Sequence, residues 1–82
     1  MALIIGDITP IEKKEHKKIK TETKATYQSF IREDTGEKIF QIDTYGSDNR
    51  KVVKSSQNIQ LDKKTAIKLI EIIIKEFNLK LN

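Results

Sequence analysis

Residues able to do covalent or metal chemistry are sparse in this 82-residue chain, and their spacing gives them no means of acting together. There is no cysteine, which removes disulfides, thiolate metal sites and thiol nucleophiles. The single histidine, His16, lies in a lysine-rich stretch and reads as a surface residue. Ser29, Ser47, Ser55 and Ser56 therefore have no evident base to activate them. Glu37, Asp43 and Asp48 are the carboxylates a two-metal nuclease would draw on. Their spacing follows no metal-binding pattern, and solvation at the surface accounts for them. Gly6, Gly36 and Gly46 are too scattered to form a phosphate-cradling loop. The expectation is a protein that is not an enzyme, with no cofactor and no metal.

The more suggestive pattern is basic. The chain has 16 basic and 12 acidic residues, a net charge of +4. The excess is concentrated: residues 13–20 hold five lysines against one acid, and Arg50, Lys51 and Lys54 form a second group. Uneven positive charge of this kind suits a phosphate-bearing partner, although lysine-rich surfaces also serve solubility. No stretch approaches the roughly 20 apolar residues of a membrane span. The N-terminus lacks the basic start and apolar run of a signal peptide, so a cytoplasmic protein without membrane contact is expected.

These residues have to be placed by a few elements. An opening strand is predicted over 3–13. From Lys18 the chain alternates, with Ile19, Thr21, Thr23, Ala25, Tyr27, Ser29 and Ile31 on one parity, which predicts a strand over 18–32. Glu33-Asp34-Thr35-Gly36-Glu37 is a hairpin signal. Strands over 38–45 and 52–61 follow, separated by the polar loop 46–51. Asp62 is a good helix N-cap, and a helix is predicted over 63–77. The expected fold is one α+β domain, a four-stranded curved antiparallel sheet followed by one C-terminal amphipathic helix.

Two faces follow from the alternation. If Phe40, Ile42, Ile59 and Leu61 meet the helix, the opposite face carries Ile39, Gln41, Asp43, Tyr45, Lys54, Ser56, Asn58 and Gln60. Amides and hydroxyls with a tyrosine among them suit single-stranded nucleic acid, where rings stack on bases and lysines follow phosphates. They equally suit an ordinary solvated sheet face. A three-residue loop, Asp34 to Gly36, pairs Phe30 with Phe40 and puts Tyr27 beside Gln41 and Tyr45. A two-residue loop, Thr35-Gly36, reverses this and exposes Phe30. The former is preferred.

The helix is apolar around more of its girth than one sheet needs. At 100° per residue, Ala66, Ile67, Ile70, Ile73, Ile74 and Phe77 share one arc, which would lie on the sheet. Leu69 and Ile72 widen the apolar arc to roughly 220°, where a surface helix needs about 100°. A second copy is the economical cover, so a homodimer through Leu69, Ile72 and Ile73 is expected. The alternative is that Leu79 and Leu81, or Leu3-Ile4-Ile5, fold back over that side.

The hairpin Phe30–Phe40, the strand Ser56-Gln57-Asn58-Ile59-Gln60-Leu61, the cap Asp62 and the apolar helix Ala66–Phe77 give a strand-strand-strand-strand-helix order. In that order the chain resembles the whirly and transcriptional-coactivator class of single-stranded-DNA-binding domains. The resemblance implies a curved antiparallel sheet, dimerisation through the helices and a part in transcription, replication or repair. By position, Lys18, Lys20, Lys24 and Tyr27 would be the counterparts of its DNA-binding residues. With Gln41, Tyr45, Arg50, Lys51, Lys54 and Asn58, they complete the expected surface for single-stranded DNA or RNA. The rival expectation is a small bacterial or phage protein-interaction module that regulates a larger enzyme.

Overall fold

The computed structural model describes residues 2–12, 15–45 and 55–80. Its elements are β1 (Leu3–Ile4), β2 (Ala25–Ile31), β3 (Lys38–Tyr45), β4 (Ser55–Leu61) and α1 (Lys63–Phe77). The α+β class, the four strands and the single C-terminal helix agree with the sequence reading. The sheet itself is mixed, in the order β1-β4-β3-β2. β2, β3 and β4 form an antiparallel meander, whereas β1 crosses to the far edge and pairs parallel with β4, Leu3 opposite Gln60 and Ile4 opposite Leu61. The expected purely antiparallel sheet is corrected on this point. The first two strands are also shorter than expected. Residues 5–12 and 15–24 form no strand, so Lys18 and Lys20 lie on an exposed irregular segment leading into β2.

The β2–β3 turn sets the register. Arg32 N donates to Glu37 O and Gly36 N donates to Arg32 O, each at 2.8 Å. Four residues, Glu33 to Gly36, therefore span the turn, one more than the preferred reading. Gly36 has φ of 75°, in the left-handed region that glycine adopts without a Cβ penalty. Within the turn, Arg32 Nε donates to Asp34 Oδ1 at 2.6 Å and holds that carboxyl below its ordinary value. Ser29 now faces Phe40, and Tyr27 faces Ile42. Side chains alternate along a strand, so Tyr27 joins Phe40, Ile42, Ile59 and Leu61 on one face. Phe30 goes to the other, with Ile39, Gln41, Asp43, Asn58 and Gln60. Because Arg32 and Glu37 are a bonded pair, alternation also turns the amides of Ala25, Tyr27, Ser29 and Ile31 away from β3. β2 is thus an open edge, and it carries no charged residue.

α1 begins where the sequence says it should. Asp62 Oδ1 accepts from Thr65 N at 2.8 Å, satisfying one of the free amides of the first turn. Hydrogen bonding from Thr65, its side chain first and then this backbone amide, holds the Asp62 carboxyl below its ordinary value. Asn78, with φ of 53°, ends the helix, and Leu79 N donates back to Ile74 O at 3.0 Å. The side of α1 that turns inward is not the predicted one. Thr65 is buried and Leu69 and Ile72 are half-buried; of the predicted arc only Ala66 and Ile74 are half-buried, whereas Ile67, Ile70, Ile73 and Phe77 are exposed. The reason lies in the N-terminal chain. Thr65 Oγ1 donates to Ile4 O at 3.1 Å, Lys68 Nζ stands 3.7 Å from Asp7, and Ile8, Thr9 and Pro10 share an opening with Ile72. An N-terminal segment does lie by that side, but Ile8, Thr9 and Pro10 border Ile72 where Leu3-Ile4-Ile5 had been the alternative, and Ile5 is exposed.

The core is small. Among the described residues only Ile39 and Leu61 are apolar and fully buried, at 2% and 3% exposure. Leu61→Ala should accordingly cost about 2–5 kcal/mol, read as a lower urea midpoint, because a cavity there has few neighbours able to relax into it. Asp62→Ala should lower the thermal midpoint by several degrees at pH 7. A carboxyl whose folded pKa is depressed contributes stability above its ordinary value of 3.8, lost as pH falls through the lower folded value. The gap between wild type and Asp62→Ala should therefore close in acid, which thermal unfolding from pH 7 to pH about 2 would check.

Candidate nucleic-acid interface

The two sheet faces differ in a way the alternation alone did not reveal. On one of them the polar residues are withdrawn from solvent by one another. Gln60 Nε2 donates to Gln41 Oε1 at 2.7 Å, and Gln41 Nε2 donates to both carboxylate oxygens of Asp43 at 3.0 Å. Gln41 and Asp43 are buried, as is Ile39 on the same face. Gln28, Gln41 and Gln60 stand in one row across three strands, and Thr26, Asp43 and Asn58 stand in the next. Tyr45 Oη and Thr26 Oγ1, 2.7 Å apart, close the end of this set. Asn58 is half-buried, and its Oδ1 is buried without a hydrogen-bond partner. A linked amide–carboxylate chain of this kind fixes side-chain positions and leaves its donors and acceptors already engaged.

The opposite face is the open one. Tyr27 is 76% exposed and its ring stacks on Phe40, with centroids 5.5 Å apart and planes at 30°. Offset stacking at this distance is the favoured geometry for two rings and leaves the outer face of Tyr27 free. Ser29, Lys38, Gln57 and Ile59 are exposed on the same face, and Ile42 is half-buried between the neighbouring strands. At one end Ser29, Lys38, Phe40 and Leu61 border a shallow opening with Lys63 and Ala66 of the first helical turn. Aromatic surface, hydroxyl, amide and ammonium thus meet on one platform.

The expected site residues are therefore divided. Tyr27 lies on the open platform. Lys18, Lys20 and Lys24 are exposed on the segment that enters β2, and the hydroxyl of Thr23 ties this segment to the Tyr45 carbonyl oxygen. Gln41, Tyr45 and Asn58 belong to the opposite face, where Gln41 and Tyr45 are engaged as described. Arg50, Lys51 and Lys54 lie outside the described residues, as does the whole polar loop 46–51. Leu69 and Ile72 are half-buried and Ile73 is exposed. Phe40 and Lys38 were missed as platform residues, since Phe40 had been assigned to the helix-facing core. The loop length, four residues where two and three had been weighed, decides only that Tyr27 and not Phe30 shares the face of Phe40.

Among the described residues no group of three or more His, Asp or Glu side chains is placed to hold a metal ion, and no helix is long and apolar enough to cross a membrane. No protein-family model, curated protein or solved structure matches the chain. Gln41→Leu should destabilise the fold by about 1–3 kcal/mol in urea titration, because it strips the buried Asp43 carboxylate of its donor. The paired replacement Gln41→Leu with Asp43→Leu should restore much of that loss.

Proposed function

We propose that this protein binds single-stranded nucleic acid, DNA or RNA, on the open face of its sheet, with a role in transcription, replication or repair as the wider setting. The observation that carries the reading is the Tyr27–Phe40 pair: a solvent-facing ring, braced from behind, on a strand entered from a lysine-rich segment. A base stacks on the outer face of Tyr27, and Ser29, Lys38 and Gln57 supply hydrogen-bonding groups around it. Lys18, Lys20 and Lys24 follow the phosphates away from the stacked base. Gln41 and Gln60 on the polar face, their amides already bonded to each other, take no part.

A fluorescence-anisotropy titration with a labelled single-stranded oligonucleotide at two salt concentrations tests this. Affinity should fall steeply with salt, because lysines release condensed counterions when they meet phosphates. Tyr27→Ala should weaken binding by about 1–3 kcal/mol with little change in salt dependence. Lys18→Glu, Lys20→Glu and Lys24→Glu together should reduce the slope of log K against log salt by about 2. Absence of binding at low salt would overturn the reading. Recovery of one stoichiometric protein in a nuclease-insensitive pull-down would instead point to a protein-interaction module, for which the apolar Ile42 and Ile59 surface is equally suited.

A further inference from the structure

We infer that the open edge of β2 docks a second copy of this chain, strand against strand and antiparallel, so that two sheets become one. The outward amides and carbonyls of Ala25, Tyr27, Ser29 and Ile31 have no hydrogen-bond partner among the described residues. Proteins ordinarily blunt such an edge with charge, proline, a bulge or brevity. β2 has none of these: its seven residues, Ala-Thr-Tyr-Gln-Ser-Phe-Ile, pair with β3 in unbroken register. β1, at the other edge of the sheet, is only two residues long. Tyr27 and Ile31 of β2 are 76% and 61% exposed. A row of alternating backbone donors and acceptors is matched along its length by another strand.

The flanks of β2 identify that strand as its own copy. Residues 18–24 carry three lysines and one glutamate, and residues 32–37 carry one arginine and three acids. An antiparallel second copy sets the lysine-bearing flank of each chain beside the acidic turn of the other. Pairing equivalent residues in parallel would set like charge beside like. The charges also select a register. Outward residues bond to outward residues, so within 18–24 Arg32 can face Lys18, Lys20, Glu22 or Lys24 of the second copy. Glu22 is the one acid among them, and opposite charges directly across two strands attract where like charges repel. The Thr23 hydroxyl, bonded to the Tyr45 carbonyl oxygen, keeps this flank beside the end of β3. With Glu22 facing Arg32, the two-fold axis passes at Tyr27, Ala25 faces Ser29, and no like charges are opposed between 22 and 32. The two Tyr27–Phe40 stacks then lie side by side on the open face, with the Tyr27 Cα atoms about 5.5 Å apart. This surface is not the helix expected from the sequence to pair. The inference does not rest on the nucleic-acid reading, since it concerns the edge of the strand and not its faces.

Light scattering and amide hydrogen exchange on the unaltered protein, without oligonucleotide, test this. The mass should rise from 9.5 kDa toward twice that value as concentration goes from about 1 to 500 µM. Over the same range, exchange at Tyr27 and Ser29 should slow at least about tenfold as their outward amides become bonded. Glu22→Arg should raise the dimer dissociation constant about tenfold with circular dichroism unchanged, and so should Arg32→Glu. Mixed in equal amounts, the two variants should pair with each other at near wild-type strength, because each supplies the charge the other lacks. Arg32→Glu also loses the ion pair with Asp34, so if that variant does not fold, Glu22→Arg and the exchange rates decide. A mass of one protomer at about 500 µM would overturn the inference. So would a dimer in which Tyr27 and Ser29 exchange as fast as in the protomer, or one that Glu22→Arg leaves unweakened.

Discussion

The closure of one turn decides what each face of this sheet is. Arg32 and Glu37 bond across Glu33-Asp34-Thr35-Gly36, and every side chain of β2 takes its direction from that pair. Because strand side chains alternate with a period of two, a loop one residue shorter would exchange the two faces of β2. Tyr27 would then stand among the glutamines, and Phe30 would meet Phe40 and Leu61. The stacked pair, the exposed platform and the segregation of the amides all depend on this count of four residues. Gly36 permits it by adopting a positive φ, and Asp34 secures it through Arg32.

What was legible in the sequence was element type where a local signal was strong. Asp62 announces α1 through chemistry confined to four residues, and the helix bounds follow from it. The hairpin was legible as well, since Gly36 among polar residues can hardly be anything else. Two things were not legible. Turn length is set by competing hydrogen bonds inside five residues: lengths of two and three were weighed from the sequence, and the turn has four. The position of β1 is set by a partner far along the chain, and no local pattern in Leu3-Ile4 says that it runs parallel to Gln60 and Leu61. Reading the helix by hydrophobicity alone misplaced its inward side for a related cause. A wide apolar arc does not say which part meets the chain's own residues, and Thr65, a polar residue outside the predicted arc, is the one fully buried there.

The division of labour between the faces has a physical logic. Gln41, Asp43 and Gln60 satisfy one another and so are withdrawn from solvent at low cost. The sheet then holds together with few fully buried hydrocarbon side chains, and its other surface keeps exposed rings and aliphatic groups. An isolated protomer built this way is only marginally stable, since small chains bury little of their surface. Surfaces left apolar here are those available to a ligand or to another molecule.

The pairing of β1 with β4 has a temporal consequence. Leu3 and Gln60 are separated by 60 − 3 = 57 positions. During synthesis the meander can assemble strand by strand as it emerges, each new strand finding its neighbour close by in the chain. Leu3 and Ile4 have no strand partner until Gln60 and Leu61 have been made. β1 is thus made before the other strands of the sheet and is the last to be seated in it.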